Sequence, residues 1–226
     1  MLGNILRKNK MAAIGSAANK IVHDMRTPIT SITLSADILV KQFPEAKEYI
    51  DKIRLMTEVM SDLAQEVMDY AKGVSNELVY CSNDLDSFFS KLIDMMSPMA
   101  AKKNIEITFE NFYGEPSYFD TKLLRRILMN LLTNAMEAIK YNGKIKITAE
   151  LVRKDIKITV TDDGPGIPED ILNRIFEPFV TYGKLRGTGL GLAICRHVVE
   201  LHNGRIIASN HSNGAQFEIY LPEMPS

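Results

Sequence analysis

The first third of the chain carries apolar and small side chains at alternating spacings of four and three residues. This heptad pattern predicts two long helices, each with one apolar seam. The first seam comprises Ile14, Ala18, Ile21, Met25, Pro28, Ile32, Ser35 and Leu39, and the second comprises Ile50, Ile53, Thr57, Met60, Ala64, Val67 and Ala71. Between them, the segment QFPEA breaks the pattern, because Pro44 disfavours helix in the residue before it and suits a first helical turn.

Two long helices joined by a short turn are expected to form an antiparallel hairpin. One hairpin buries two apolar seams poorly, whereas two copies can pack as a four-helix bundle, so we expect a homodimer. Gly73 in the segment AKGVSNE is typical of a helix end. We therefore predict a helical domain over residues 1–72 and a linker over residues 73–77.

Residues 78–226 have a mixed pattern of alternating and helical segments. Helices are predicted over 84–103, over 120–141 and in LGLAICRHVVELHN, and GKIKITAELV and DIKITVTDD are predicted to pair as a strand hairpin. The other predicted strands are NELVYCS, NIEITFEN, GRIIASN and AQFEIYLP. The expected architecture is an α/β sandwich with the sheet on one side and helices on the other, which makes the whole chain α+β.

Composition excludes several classes of protein. The 226 residues include 27 basic and 28 acidic side chains, so a nucleic acid is not the expected partner. No apolar run reaches the roughly 20 residues of a membrane helix, and the first ten residues lack a signal-peptide core. Cys81 and Cys195 have neither metal-site nor disulfide spacing. These features predict a cytoplasmic location, with membrane association expected only if the chain is the inner part of a longer membrane-anchored protein.

The stretch KIVHDMRTPIT places His23 beside Asp24 in the first predicted helix. If Ile21 and Met25 face the seam, His23 faces solvent, as an ordinary solvated side chain or as a group that other molecules must reach. Pro28 removes one backbone hydrogen bond and is expected to bend the helix one turn after His23.

Three motifs in the second region have residue types suited to a nucleotide. Asn130 and Asn134 lie on one face of a helix, where they could serve a magnesium ion and a phosphate chain or bond to a neighbouring loop. In TDDGPGIP, Asp162 is followed by a glycine pair that is either a plain turn or room for a flat ligand. In RGTGLGLAI, three glycines open a helix whose free N–H groups suit a phosphate, although this spacing alone is a weak signal.

The joint order of these motifs resembles one family. Four motifs follow one another within about 65 residues: an Asn-x-x-x-Asn helix, Asp-x-Gly-x-Gly, IFEPF and Gly-Thr-Gly-Leu-Gly. Together they resemble the ATP-binding domain of sensor histidine kinases, within the superfamily that includes gyrase and the Hsp90 chaperone. HDMRTP resembles the H box of the same family's dimerisation and phosphoacceptor domain. The resemblance implies that the sandwich, predicted over 78–226, has the Bergerat fold and that the helical hairpin forms a dimeric four-helix bundle.

The resemblance also implies roles for residues of the first helix. His23 matches the phosphoacceptor, and Asp24 matches the acidic neighbour that orients the imidazole and takes its proton. Pro28 matches the family's helix-bending proline. Thr27, four residues after the histidine, matches a polar residue that positions water for dephosphorylation of a response regulator. The implied partner is thus the receiver domain of a response regulator, and phosphatase activity is expected beside kinase activity.

In the second domain, the resemblance implies binding of ATP and Mg²⁺. Asn134 matches the metal ligand, Asn130 lies one turn earlier near the phosphates, and Asp162 matches the adenine-binding aspartate. Phe176 and Phe179 match the aromatic box that borders the ATP lid, although both could simply be core residues. The remaining residues that match the site or its lid are Gly164, Gly166, Lys184, Arg186, Gly187, Thr188, Gly189, Leu190 and Gly191. Lys184 and Arg186 could contact the γ-phosphate or remain solvated.

Two positions depart from the family pattern. Ala215 stands where many relatives carry a threonine near the adenine, and Glu137 stands where many carry a basic residue. Gyrase-like ATPases place a glutamate one turn before the magnesium asparagine, whereas this chain has Asn130 there, which argues against a hydrolytic clamp. A nucleotide-binding dimeric scaffold and a phosphatase-dominant regulator remain the alternatives. The handedness of the turn at 42–46 decides whether each ATP-binding domain phosphorylates the histidine of its own protomer or that of its dimer partner.

Overall fold

The computed structural model describes residues 25, 27–54, 56, 57, 60, 64, 78–182, 189–212 and 214–223. These residues belong to two compact units, of which the first comprises Met1–Asn76 and Gly183–Leu190 and the second comprises Glu77–Tyr182 and Gly191–Ser226. The first unit is helical and the second contains all the described strands.

The described residues of the first unit form two helices joined by a tight turn. Helix α1 covers residues 27–42, a 3-10 turn follows at Pro44–Ala46, and helix α2 covers residues 47–54, with residues 56, 57, 60 and 64 also helical. The guanidinium of Arg54 donates from Nε to Oδ1 of Asp37 at 2.9 Å, and its NH2 group contacts the same oxygen. This pair joins the two helices on either side of the turn, as the predicted antiparallel hairpin requires.

The face of α1 that is buried differs from the predicted seam. Ile29 and Ala36 are buried, whereas Ile32 and Leu39 are 43% and 41% exposed. In α2 the predicted seam positions alternate, since Ile50, Thr57 and Ala64 are buried while Ile53 and Met60 are partly exposed. Helix α1 therefore has two neighbouring apolar stripes: that of Ile29 and Ala36 is covered, and that of Ile32 and Leu39 is an open apolar face in the single chain. The seam positions at 14, 18, 21, 67 and 71 lie outside the described residues.

The second unit is an α/β sandwich, which confirms the predicted class. Its elements are β1 (Tyr80–Asn83), α3 (Leu85–Ala101), β2 (Glu106–Asn111), β3 (Ser117–Asp120), α4 (Thr121–Ala138), β4 (Lys144–Val152), β5 (Asp155–Asp162), α5 (Glu169–Leu172), α6 (Gly191–Leu201), β6 (Arg205–His211) and β7 (Gly214–Pro222). Five strands form one sheet in the order β2-β4-β5-β7-β6, and β1 pairs with β3 in a separate ladder. The short elements β3 and α5 were not predicted from the sequence.

The core lies between one face of the five-stranded sheet and helices α3, α4 and α6. Alternate residues of the central strands are buried, as in Ile145 and Ile147 of β4 and Ile156 and Ile158 of β5. The helices contribute buried positions at helical spacing, including Phe89, Leu128 and Val198. The opposite sheet face carries ion pairs, such as those of Lys157 with Glu150 and Glu218.

Asp120 fixes the start of helix α4. Its Oδ1 accepts hydrogen bonds from the backbone N–H groups of Lys122 and Leu123, and its Oδ2 accepts one from Val79. The backbone N–H of Asp120 donates to Nε2 of the buried His202, whose Nδ1 lies 2.8 Å from the carbonyl of Val198. The N-cap of α4 is thereby tied to the entry of the domain and to the end of α6.

Lys103 fixes the other end of the same helix. Its ammonium donates to the carbonyl oxygens of Met136 and Ile139 at 2.7 and 2.9 Å. These carbonyls belong to the last turn of the helix and the residue after it, where backbone acceptors lack helical partners. Helix α4 is therefore held at both ends by charged side chains. No helix in the described part of the chain is long and apolar enough to cross a membrane.

Candidate nucleotide-binding site

Two asparagine side chains lie on the same face of α4 and bond to each other. Nδ2 of Asn134 donates to Oδ1 of Asn130 at 2.9 Å. Both residues are half-buried, whereas their helical neighbours Leu131 and Ala135 belong to the core. The spacing of four residues produces this contact, since side chains one turn apart on a helix are adjacent.

The start of helix α6 packs against Asn130. A Cβ added to Gly191 would overlap the side-chain amide of Asn130, with its Oδ1 at 2.9 Å. Gly191 is the first residue of an 11-residue helix, so unpaired backbone N–H groups lie beside the asparagine pair. Just before it, Gly189 has a φ of +69°, a conformation that favours glycine. The structure therefore brings two of the sequence motifs together at this point.

Asp162 ends strand β5 with its carboxylate largely buried. Only 7% of the residue is exposed, and Oδ1 accepts from the backbone N–H groups of Gly164 at 2.9 Å and Ala215 at 3.3 Å. Every described hydrogen bond of this carboxylate goes to Oδ1, so Oδ2 has none among the described residues. Burial raises the pKa of Asp162, the two backbone N–H groups oppose that shift, and the nearby charge of Asp163 adds to it.

The glycine-containing loop after Asp162 lies against the end of α4. A Cβ on Gly164 would be 3.6 Å from the side chains of Ala138 and Ile139. Ala138 is eight residues beyond Asn130, so the two junctions are separated by about 12 Å along the helix. Helix α4 thus forms one wall of a site with a buried acid at one end and a helix N-terminus at the other.

The same loop is attached to the turn between β6 and β7. Gly166 has a φ of +76°, and the next residue, Ile167, exchanges two hydrogen bonds with the side-chain amide of Asn210. The turn approaches the strand end so closely that a Cβ on Gly214 would overlap the carbonyl of Asp162. The sequence predictions missed Asn210, because a bond between segments 43 residues apart has no local signature.

The two phenylalanines of IFEPF have different surroundings. Phe176 is half-buried and packs edge-on against Phe217 of β7, with ring centroids 6.4 Å apart. Phe179 is 70% exposed and has a φ of +68°, a left-handed conformation that is rare for a bulky residue. Of the two departures from the family pattern, Ala215 contacts Asp162 through its backbone, and Glu137 is exposed.

Several predicted site residues lie outside the described part of the chain. They are His23, Asp24, Lys184, Arg186, Gly187 and Thr188. Thr27 is described and lies exposed on α1, where its carbonyl accepts a hydrogen bond from Ser31. Leu190 is buried directly before α6. The structure thus gives the surroundings of Asn130, Asn134, Asp162, Gly164, Gly166, Phe179, Gly189 and Gly191.

The residues present fit a magnesium ion that is bound mainly through a ligand. The described residues contain no group of three or more His, Cys, Asp or Glu side chains able to hold a metal. Because Nδ2 of Asn134 faces Asn130, the carbonyl Oδ1 of Asn134 is the oxygen suited to a hard cation. Mg²⁺ commonly takes one or two protein oxygens and completes its shell with phosphate oxygens and water.

Two family models match the chain in the order of its two units. Residues 119–225 match "Histidine kinase-, DNA gyrase B-, and HSP90-like ATPase", and residues 13–76 match "His Kinase A (phospho-acceptor) domain". The sensor histidine kinase ZraS of Escherichia coli (strain K12) is 33% identical over 219 residues, which cover 96% of this chain and 47% of ZraS. The chain spans about half the length of the curated relatives it matches.

Solved structures match both the second unit and nearly the whole chain. The catalytic domain of histidine kinase ThkA is 35% identical, with a TM-score of 0.60 over 66% of this chain and 97% of that one. Full-length ShkA in complex with AMPPNP is 28% identical, with a TM-score of 0.78 over 93% of this chain and 46% of ShkA. ThkA in complex with the response regulator protein TrrA is 30% identical, with a TM-score of 0.72 over 97% and 64% of the two chains.

The second unit is therefore an ATP-binding domain of the histidine kinase, gyrase B and HSP90 class. With a phosphoacceptor-type helical region before it, the chain belongs to the histidine kinase family and corresponds to the catalytic core of a sensor histidine kinase.

Proposed function

We propose that the protein is a protein-histidine kinase that transfers the γ-phosphoryl group of ATP to His23 and then to an aspartate of a response regulator. The observation that carries this proposal is the arrangement along α4. The buried Asp162 carboxylate lies at one end of a wall about 12 Å long, and the Asn130–Gly191 junction lies at the other. An adenosine triphosphate can span that distance with its base and its phosphates at opposite ends.

Asp162 is the proposed adenine-recognition residue. Oδ1 is held by the backbone N–H groups of Gly164 and Ala215, which leaves Oδ2 to accept a hydrogen bond from the exocyclic amine. Oδ2 is a buried and fixed hydrogen-bond acceptor. A base with a carbonyl oxygen in place of the amine would put a second acceptor against it, with no proton between the two oxygens. The site should therefore favour adenine over guanine.

The phosphates are proposed to lie between the asparagine pair and the start of α6. Free N–H groups and the positive end of the helix dipole favour an anion there. Bound Mg²⁺, with Oδ1 of Asn134 as its protein ligand, would neutralise part of the phosphate charge. Lys184 and Arg186, which lie outside the described residues, remain proposed as further γ-phosphate contacts, and Gly187 and Thr188 as parts of the lid.

The transfer requires a neutral imidazole at His23. One ring nitrogen attacks the γ-phosphorus, the bond from that phosphorus to the oxygen of ADP breaks, and the ring proton passes to Asp24. In the second transfer an aspartate oxygen of the receiver domain attacks the same phosphorus, and the phosphorus–nitrogen bond breaks. The structure of ThkA with the response regulator protein TrrA supports a receiver domain as the partner.

We further propose phosphatase activity on the regulator, with Thr27 positioning the attacking water. The exposed position of Thr27 on α1 supports this role. The domain boundaries that we propose are 1–72 for the helical domain, 73–77 for the linker and 78–226 for the ATP-binding domain. A homodimeric bundle is supported by the match to a phosphoacceptor domain and by the open apolar face of α1. The proposed site of action is the cytoplasm.

The test of the kinase proposal is incubation with γ-labelled ATP and magnesium. Wild-type protein should acquire an acid-labile, base-stable label, whereas His23→Gln and Asn134→Ala should remain unlabelled. The matched control is His211→Gln, because His211 is an exposed histidine of the second unit and should not affect labelling. Label that persists in His23→Gln would contradict the acceptor assignment. ATP binding without any label would favour the scaffold or a phosphatase-dominant regulator.

A further inference from the structure

We infer that Asn210 is a positioning residue of the nucleotide site, which sets nucleotide affinity by holding the loop 164–167 in its binding shape. This inference rests on the proposed ATP site and concerns a residue that does not itself contact the bound base in that proposal. Asn210 lies near the end of β6, is largely exposed, and is absent from the motifs that identify the family.

The contact is a two-point attachment between a side chain and the backbone. The N–H of Ile167 donates to Oδ1 of Asn210 at 2.7 Å, and Nδ2 of Asn210 donates to the carbonyl of Ile167 at 2.8 Å. Both backbone groups of a single residue are therefore satisfied by one amide. Such an arrangement fixes the orientation of the loop as well as its distance from β6.

The residue before the attachment has an unusual backbone conformation. Gly166 has a φ of +76°, and a Cβ at that position would lie 2.9 Å from Oδ1 of Asn210. The loop therefore turns sharply and passes directly over the Asn210 amide. A glycine loop has many alternative conformations, so a specific contact is needed to keep it in one of them.

The loop is fastened on its other side by Asp162. The backbone N–H of Gly164 donates to Oδ1 of that carboxylate, and the backbone N–H of Ala215, the second residue of β7, donates to the same atom. Asp162 thus holds the first part of the loop and Asn210 holds the last part. Without Asn210 the loop would keep one anchor and lose the other, while the sheet and the core would remain intact.

Because Asn210 holds only the loop, its loss is expected to lower nucleotide affinity with little effect on folding. If only a fraction of molecules keeps the binding-competent loop, the apparent dissociation constant rises by the inverse of that fraction. Losing both hydrogen bonds in Asn210→Ala should weaken nucleotide binding roughly tenfold, which corresponds to about 1.4 kcal/mol. The melting temperature of the nucleotide-free protein should change by only a few degrees, about the effect of 1 kcal/mol or less in a domain of this size.

The experiment measures the dissociation constant for ATP with magnesium by calorimetry in a His23→Gln background, which prevents turnover. Asn210→Ala is compared with His211→Ala, whose side chain is exposed and makes no hydrogen bond within the described residues. Thermal unfolding without nucleotide is recorded for each protein. We expect the ATP affinity of Asn210→Ala to be about tenfold weaker and that of His211→Ala to be unchanged.

A second variant, Asn210→Asp, separates positioning from general damage. At pH 8 its carboxylate can accept from the N–H of Ile167, but its other oxygen opposes the Ile167 carbonyl. When protonated, the side chain again offers one donor and one acceptor, and the opposing carbonyl favours that protonated form. The affinity of Asn210→Asp relative to the background protein should therefore recover as the pH falls from 8 to 4, towards the ordinary aspartate pKa of about 3.9, while the ratio for Asn210→Ala should stay constant.

The outcomes are distinguishable. Equal affinities for the background protein and Asn210→Ala, or a lower melting temperature with unchanged affinity, would overturn the positioning role and leave the proposed function intact. A ratio for Asn210→Asp that does not change between pH 8 and pH 4 would also overturn it. Failure of the background protein itself to bind ATP would overturn the proposed function, and the inference with it.

Discussion

Nδ2 of Asn134 donates to Oδ1 of Asn130 at 2.9 Å, so the two amides that face the proposed phosphate site orient each other. A substitution of either residue should act on both. Asn130→Asp preserves the acceptor for Asn134 but adds a negative charge beside the phosphates. We expect ATP affinity to fall by roughly 10-fold to 100-fold, since like charges a few ångströms apart repel by 1–3 kcal/mol near a protein surface.

Calorimetric titration with ATP and magnesium measures this change. The same substitution at the exposed Asn203, after α6, is the matched control and should leave the affinity unaltered. Equal affinities of Asn130→Asp and the wild type would show that Asn130 does not face the phosphates.

A second prediction concerns the contact between α6 and α4. Gly191→Ala would drive a methyl group into the amide of Asn130, so either that amide must turn away from its bond with Asn134 or the start of α6 must move. We expect a loss of roughly 1–3 kcal/mol in the free energy of unfolding, as for other overpacked sites, together with weaker ATP binding.

Urea denaturation and ATP titration test this variant. The control is Gly114→Ala, where a φ of +74° makes alanine unfavourable although nothing lies within 4 Å of the added Cβ. Gly114→Ala should lower stability by about 1 kcal/mol without changing ATP affinity. A Gly191→Ala protein with normal affinity would show that the contact between Gly191 and the Asn130 amide is not needed for binding.

A third prediction is that Asp162→Asn weakens ATP binding while it stabilises the nucleotide-free domain at neutral pH. Burial raises the pKa of Asp162, so this group contributes stability only when protonated, and that contribution is lost as the pH rises through its folded-state pKa. The amide oxygen of an asparagine still accepts from the N–H groups of Gly164 and Ala215, and the side chain carries no charge. Its amide NH2, however, would face the exocyclic amine of adenine, so two donors would meet.

Thermal unfolding measured from pH 8 to pH 4 tests the direction of this pKa shift. The stability advantage of Asp162→Asn should be constant above the raised pKa of the folded protein and should shrink below it, towards the ordinary aspartate value of about 3.9. Asp94→Asn, an exposed aspartate of α3, should show no such dependence. An advantage that grows as the pH falls would contradict the direction of the shift.

Much of the fold is predictable because it depends on local patterns. Alternation gave the β4–β5 hairpin, whose strands pair from Ile145 with Asp162 to Val152 with Asp155. The inner face of α1 was not predictable, because Ile29, Ile32, Ala36 and Leu39 form two apolar stripes and periodicity does not say which one packs within the chain. Strand β3 is only four residues long and lacks an alternating run, so its pairing with β1 was missed.

In the site, too, some residues could be predicted from the sequence and others could not. Asn130, Asp162 and Gly191 stand out because their residue types are unusual for the elements that carry them. The supports of the site do not stand out, since Lys103 and Asn210 act through contacts with backbone atoms 33 or more residues away. Backbone atoms are present at every residue, so the sequence contains no complementary partner that would indicate such contacts.

A fourth prediction concerns the support at the end of α4. Lys103→Met should lower the free energy of unfolding by roughly 2–3 kcal/mol, because two carbonyls lose a charged donor. Lys102→Met, at the exposed neighbouring position, should change it by less than about 0.5 kcal/mol. Urea denaturation measures both, and equal stabilities would indicate that water replaces the lysine without cost.

A fifth prediction tests the proposed dimer. Leu39→Glu places a charge on the open apolar face of α1, and we expect dimerisation to weaken by roughly 100-fold or more, since an unpaired buried carboxylate costs several kcal/mol. Leu34→Glu is the same change at a position that is 60% exposed and off the seam, and it should leave the dimer intact. Sedimentation equilibrium measures both, and a dimeric Leu39→Glu protein would contradict the proposed interface.

The N-cap of α4 has a mechanical consequence. Asp120 bonds with one carboxylate oxygen to Val79, at the entry of the second unit, and with the other to the first turn of the helix that carries Asn130 and Asn134. Tension on the chain at Val79 is therefore shared between the β1–β3 ladder and this carboxylate, which contacts the first turn of α4 directly. Through this side chain, a pull at the entry of the domain would act on the start of the helix that carries Asn130 and Asn134, with no loop between them.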